Sequence, residues 1–243
     1  MRLTAFIVMT LLCAMPAFAK IDLEKSLYNA FISNDYRQWA KVVSLYEQEA
    51  NLNSTEERIN LIHCYYGYTS VLIDKKQTTE AKKSIAKAEK LIEEGLHQSP
   101  KNALLLDYQG TFISYKITMN KLRGLSLGKK AIALIDQAYA LAPNSVQILF
   151  DKGNALYYPP KLFGGDKQAA LSYFQKAIKI VEQSGKTQNN WVYLQMLFIS
   201  AHCHELLGNN AEATTAYKKA LSKEPNFKTA KIYYQKFLQK TEK

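Results

Sequence analysis

The chain has 243 residues, a formal net charge of +11 at pH 7 and a hydrophobic share of 47%, with three cysteines and six prolines. Beyond the first residues its apolar side chains never gather into a second long run, which excludes a membrane-spanning helix there. Only Cys64 and Cys203 lie outside the N-terminal apolar run.

That run opens the chain. Arg2 is followed by apolar residues from Leu3 to Ala14 and by the small-x-small triplet Ala17-Phe18-Ala19. This is the pattern of a secretory signal peptide cut after Ala19, and the run is short for a bilayer span. Leu12, before Cys13, is bulkier than the residue that lipoprotein signals carry there. Residues 20–243 are therefore expected as a soluble periplasmic or secreted chain of charge +10, the total of +11 less Arg2. That is enough chain for one elongated domain, and an exported protein is not expected to meet nucleic acid.

Residues 20–53 read as a helical hairpin turned at Asn34-Asp35. Leu23, Leu27, Ala30 and Phe31 make one helical stripe, and Trp39, Val42, Val43 and Tyr46 make its partner. Ser54-Thr55-Glu56-Glu57 is a capping box, with Ser54 accepting from an orphan amide and Glu57 reaching back. It opens a helix to about Ile73. Thr79 is expected to cap the next helix, to about His97, and Pro100 and Asn102 restart the chain. A helix from Ala103 to about Lys121 ends at Arg123-Gly124, and Ser126 or Leu127 opens one closed by Pro143. Asn144 is the expected cap of a helix through Tyr157. Pro159-Pro160 forbid its continuation, and Gly164-Gly165-Asp166 make a turn that ends in an N-cap. Ser184-Gly185 close the following helix, whose buried stripe is Tyr173, Phe174, Ala177, Ile178 and Val181. Asn190 caps Trp191–Leu207. The last helix, Lys228–Lys240, sets Ile232, Tyr233 and Phe237 against a lysine-rich face. No run reads as a strand.

A spacing recurs through this series: alanine, a large residue four positions on, and alanine three further. It occurs at Ala81–Ile85–Ala88, Ala131–Ile135–Ala138, Ala170–Phe174–Ala177 and Ala213–Tyr217–Ala220. Each triplet shares one helix face. Small partners are expected on the preceding helices, at Thr69, Gly110, Gly153 and Ala201, where they let two helices approach closely. One such hairpin cannot bury its apolar face alone, so the copies must stack.

The pattern resembles the tetratricopeptide repeat family, whose unit is a helix–turn–helix of about 34 residues. The best matches are Val146–Val181 and Leu194–Asn226, the latter with Ala201, Gly208, Ala213, Tyr217, Ala220 and Pro225. The intervals between the leading alanines are 50, 39 and 43 residues, longer than the family period, with extra residues around 88–100, after Gly110, at Tyr158–Gly165 and around 182–190. The resemblance implies an all-α fold: a right-handed α–α superhelix of about five hairpins plus a C-terminal capping helix. Residues 20–53 form a degenerate first hairpin and residues 54–243 the repeats.

The same resemblance implies a binding scaffold. The first helix of each pair would line a concave side, which puts Tyr66, Ser70, Phe150, Asn154, Tyr157, Phe198, His202 and Glu205 inward. Of these, Tyr66, Phe150, Asn154, Tyr157, Phe198 and His202 are the candidate contacts for a protein or peptide; the competing reading of the aromatics is interhelical core. Asn154 is present, but the groove lysines that clamp carboxylate tails in one branch of the family are missing. The helix after Gly110, with Phe112, Ile113, Tyr115, Ile117 and Met119, reads as a second docking ridge. The lysine pairs Lys75-Lys76, Lys82-Lys83, Lys129-Lys130 and Lys218-Lys219 read as a solvated convex face or as a contact to anionic lipid or cell-wall polymer.

Bond chemistry finds little support. His202-Cys203-His204 has a spacing that points the two imidazoles apart by about 200°, whereas a helical metal site needs i, i+3 or i, i+4. Cys64 and Cys203 lie three repeats apart, further than a disulfide spans, and are expected as buried free thiols. YPPKLFGGD carries two glycines without a phosphate-loop pattern. No cofactor, metal or catalytic residue is assigned, and an enzyme is the least supported of the readings.

Overall fold

A computed structural model describes residues 21–241; the signal peptide expected at 1–19 lies outside them. Eleven helices follow in order: α1 (Leu23–Ser33), α2 (Tyr36–Glu49), α3 (Thr55–Asp74), α4 (Thr78–Gln98), α5 (Ala103–Met119), α6 (Gly124–Leu141), α7 (Val146–Tyr157), α8 (Lys167–Gln183), α9 (Trp191–Leu206), α10 (Asn210–Lys223) and α11 (Lys228–Thr241). Two single turns of 3₁₀ helix, Lys121–Arg123 and Lys161–Phe163, sit between α5 and α6 and between α7 and α8. Among the described residues there is no strand. The helices pair as five antiparallel hairpins, α1/α2 to α9/α10, with α11 packed on the last of them. This is the expected all-α solenoid.

Side chains fix most of the helix starts. Asp22, Asp35, Ser54, Asn102, Asp166 and Asn190 each accept a hydrogen bond from an amide of the first turn, which satisfies a donor the helix leaves unpaired. Three expected caps are corrected. Helix α4 begins at Thr78 after Gln77 with no side-chain cap, so Thr79 is inside the helix. Helix α7 follows Ser145, not Asn144. Helix α6 begins at Gly124, directly on the 3₁₀ turn, two residues before Ser126. In the box at 54–57, Ser54 Oγ does accept from the Glu57 amide at 3.3 Å. Glu57, however, reaches past Ser54 to the amide of Asn51 at 2.6 Å, because the Ser54 amide is already bonded to the Asn51 carbonyl.

All four alanine notches are buried, each with its central Ile85, Ile135, Phe174 or Tyr217. The small partners stand opposite them. A side chain at Gly110 would meet the Ala131 carbonyl and Ile135, and one at Gly153 would fall inside the Phe174 ring. Thr69 Oγ1 hydrogen-bonds Ser84 Oγ at 2.6 Å across α3 and α4, and Ala201 is fully buried. Gly153→Ala is therefore expected to destabilise by about 1–3 kcal/mol through overpacking. Gly128→Ala, in α6 with nothing near the added carbon, is expected to stabilise by about 0.5–1 kcal/mol through helix propensity. Urea midpoints of the two variants, moving in opposite directions, check this.

The stack differs from an open solenoid in how its ends meet. Helix α1 packs on α9. The Phe31 ring lies 5.5 Å from Trp191 and 5.1 Å from Phe227, Trp39 meets Trp191 edge-on at 5.4 Å, and the Tyr28 hydroxyl donates to Glu224 at 2.7 Å. The first helices α3, α5, α7 and α9 are thereby enclosed. Their burial shows it: α9 hides residues on every side, Trp191 to Leu194, Met196 to Ala201, and Cys203, as a helix inside a protein does. Helices α4, α8 and α10 bury one stripe each and form the outer layer.

Candidate binding surface

Enclosure divides the expected contact residues. Tyr66, Phe150 and Phe198 are core side chains, exposed by only 4%, 3% and 8%, and a partner cannot reach them in this arrangement. The reason is that α3, α7 and α9 pack on their neighbours through the faces expected to be open. Tyr66 is anchored there by its hydroxyl, which donates to Asp151 of α7 at 2.7 Å. Asn154, Tyr157 and His202 are partly exposed, and Ser70 is exposed. Glu205 is held by Tyr217 at 2.9 Å and by Lys240 at 3.0 Å. The ridge expected on α5 is also corrected: Phe112 and Ile113 are buried, and Tyr115, Ile117 and Met119 are partly so.

The reachable residues gather with two that the sequence reading placed elsewhere. Tyr157 hydrogen-bonds His202 Nδ1, and its ring stands edge-on to Tyr158 at 5.0 Å. The His202 ring meets Tyr233 of α11 edge-on at 5.1 Å and lies parallel to Phe198, with centroids 6.4 Å apart. Phe198 in turn meets Tyr233 at 5.1 Å. Lys167 lies 4.8 Å from the Tyr157 ring centre and bonds the Tyr157 carbonyl, a cation–π contact. The result is a surface of three tyrosines and a histidine with Phe198 as its floor, built from α7, α9 and α11. Tyr158 and Tyr233 are 67% and 38% exposed. Tyr233 was expected on the packed stripe of the last helix, but α11 buries Ala230 and Phe237 and leaves Ile232 and Tyr233 outward.

Burial lowers the His202 pKa, with Lys240 and Lys167 adding to the effect and Glu205 opposing it. The shift favours the neutral imidazole at pH 7, bonded through Nδ1 to the Tyr157 hydroxyl. His204 points away, into a cleft with Gln175, Leu197 and Lys219, as the two-residue spacing requires.

Behind this surface the enclosed helices share a polar network. The Trp191 indole N–H donates to His63 Nε2 at 3.1 Å, and His63 Nδ1 bonds the Tyr108 hydroxyl at 2.8 Å. Because an indole only donates, Nε2 is an acceptor and the ring proton resides on Nδ1. Burial pushes the His63 pKa down to about 4. Asp151 accepts from Tyr66, from Gln147 at 2.7 Å and from Asn154 at 3.4 Å. Asp107 is fully buried, and neither of its oxygens receives a hydrogen bond from a donor group. Burial first, then the charge of Asp151, holds its pKa far above the usual carboxylate range. A protonated Asp107 donating to Asp151 resolves both facts. Asp107, Asp151 and Trp191 do not stand out in the sequence, where each is one residue in a helix.

Cys64 and Cys203 are free and buried, and burial raises both thiols to about 12, which makes them inert fillers. Among the described residues no three His, Cys, Asp or Glu side chains gather as metal ligands, and no helix is long and apolar enough to cross a membrane. Two clefts, of about 320 and 220 Å³, lie away from the aromatic surface, beside Tyr28 and Glu224 and beside His204. Lys82, Lys83, Lys129, Lys130, Lys218 and Lys219 are exposed on the outer helices.

The tetratricopeptide repeat profile matches residues 194–227, which span α9, α10 and the turn after them. No curated protein matches the chain. Among solved structures, TTC0263, a thermophilic TPR protein of Thermus thermophilus, superposes with a TM-score of 0.58 at 13% identity, covering 89% of this chain and 99% of its own. The HusA haemophore of Porphyromonas gingivalis superposes with a TM-score of 0.54 at 15% identity, covering 78% of this chain and 94% of its own. At these identities the likeness is one of fold.

Proposed function

We infer that the chain is a tetratricopeptide-repeat scaffold, exported, that docks a protein or peptide segment on the aromatic surface of α7, α9 and α11. The observation that carries this reading is the cluster itself. Tyr157, His202 and Tyr233 come from three separate helices and Tyr158 directly follows the first of them; all four keep exposed surface and are braced by one another and by a buried Phe198. Rigid aromatics over a packed floor, with Asn154 one turn before Tyr157 as a polar neighbour, are what a hot spot for a peptide needs. Export rests on the N-terminal sequence pattern.

The test is site-specific photocrosslinking. A photoreactive phenylalanine analogue at Tyr233 is expected to capture a partner, and one at Leu45, exposed on α2, is not. Tyr157→Ala is expected to abolish the Tyr233 product. Equal capture at both positions would refute the assignment.

A second reading has one observation behind it. Tyrosine and neutral histidine are residue types that ligate haem iron, and both stand on this surface in a chain that shares its fold with a haemophore. Titration with haemin decides: a Soret shift lost in Tyr157→Phe/His202→Ala favours it, and an unshifted spectrum removes it.

A further inference from the structure

The most exposed large apolar side chains among the described residues are not scattered. Leu162 (86%), Leu125 (83%), Leu122 (79%), Tyr158 (67%) and Phe163 (62%) lead the series; Leu125, the second residue of α6, directly follows one of the two turns that carry the other four. One joins α5 to α6 and the other joins α7 to α8. Both connect the first helix of a hairpin to its second, and α6 packs on α7. The up–down order of the helices therefore brings both turns to the same edge of the stack. The next turn along that edge adds Leu206 at the end of α9, also exposed.

The two turns repeat one design. Each holds a 3₁₀ turn, Lys121-Leu122-Arg123 and Lys161-Leu162-Phe163, and each is followed by glycine. Asn120 caps the first through the Leu122 amide at 3.2 Å. The second is held by Pro159-Pro160 before it and by Gly165, where a side chain would collide with the Pro159 carbonyl. Both tips are thus fixed projections rather than loose loops. Their apolar side chains cover nothing in the fold, while exposed large apolar residues normally occur singly.

The charge at this edge is one-sided. Lys121, Arg123 and Lys161 are exposed beside the leucines, and none forms an ion pair among the described residues. A fourth turn of the same edge, between α3 and α4, contributes Lys75 and Lys76. The nearby acids are engaged: Asp74 pairs with Lys75 at 3.1 Å, and Asp166 caps α8.

We propose that this edge docks on an anionic phospholipid bilayer, with Leu122, Leu125, Leu162 and Phe163 entering the interface and Lys121, Arg123 and Lys161 meeting lipid phosphates. Projecting apolar tips ringed by unpaired cations fit a soft, negatively charged interface. A protein partner would need a concavity to receive two separate knobs. The docked edge lies next to Tyr157 and Tyr158, so the aromatic surface would face along the membrane.

The experiment is flotation of the full chain with vesicles of phosphatidylcholine alone or with equimolar phosphatidylglycerol. Wild type and variants share the apolar N-terminal residues 3–14, so their difference reads the tips. Wild type is expected to float with the anionic vesicles, less so at high salt. Leu122→Ser/Leu162→Ser/Phe163→Ser is expected to weaken partitioning by about tenfold or more. Lys121→Gln/Arg123→Gln/Lys161→Gln is expected to weaken it by about a hundredfold on anionic vesicles. All six positions are solvent-exposed, and an unchanged thermal midpoint confirms folding. Tyr157→Ala is expected to float like wild type, which separates this surface from the aromatic one. Flotation unaffected by either triple variant overturns the proposal. So does a wild-type dimer that ignores vesicles and that the serine variant converts to monomer.

Discussion

Trp191→Ala is expected to destabilise the protein by about 3–5 kcal/mol, the cost of deleting a large buried ring that its surroundings cannot collapse to fill. Trp191 is the first residue of α9, yet it touches α1 through Phe31, α2 through Trp39, and α3 through His63 and Tyr66. The loss should be uneven: the α1/α2 hairpin, left with Glu224 and Phe227 as its distal partners, should exchange its amide hydrogens far faster than α8 or α10. Trp191→Phe, which keeps an aromatic ring but not the indole N–H, should recover much of the stability and leave His63 without its donor. Uniform exchange across all hairpins in Trp191→Ala would show that the ends do not depend on this contact.

Acidification is expected to loosen the same junction. His63 has its pKa lowered from 6.5 to about 4 by burial, and protonation would direct a new N–H at the indole N–H of Trp191. The unfolded chain therefore binds the proton more readily than the native one, and stability falls as pH drops from 6.5 towards 4. The loss from this group is about 2 kcal/mol at pH 5 and approaches about 3 kcal/mol below pH 4. His202 and His204 are lowered as well and act in the same direction. Asp107 acts oppositely: its raised pKa makes folding less favourable as pH climbs above the ordinary carboxylate range. His63→Gln keeps an acceptor for Trp191 and a donor for Tyr108, and should flatten the acid limb. The chain has two tryptophans, and both sit at the junction, so fluorescence-monitored urea midpoints at pH 7 and pH 5 read it directly. Equal acid sensitivity in wild type and variant would exclude His63 as the cause.

The sequence and the fold agree where local chemistry decides. Alanine notches have one use on a helix, close approach, and all four are buried against a neighbour. Asp35, Ser54, Asn102, Asp166 and Asn190 cap because their short side chains reach a first-turn amide. Agreement ends where long-range packing decides. Phe198 and His202 sit one turn apart on α9, and helical spacing assigns them one face. Only the approach of α11 makes the first a floor and the second a partly open contact. Tyr66 looked available for the same reason, since its partner Asp151 is 85 residues away. Membership of the enclosed helices was legible in principle: α9 has no polar face through Trp191–Ala201, and a helix apolar all round is an interior one.

The bond from Tyr28 to Glu224 spans 196 positions in the chain. In an array whose units touch only their neighbours, structure can begin anywhere and grow along the stack. Here the opening hairpin has no complete seat until residues beyond 190 have been made, so its assembly waits for nearly the whole polypeptide. High sequence separation of this kind slows folding. On the proposed export route, that delay would leave the chain unfolded for longer after synthesis.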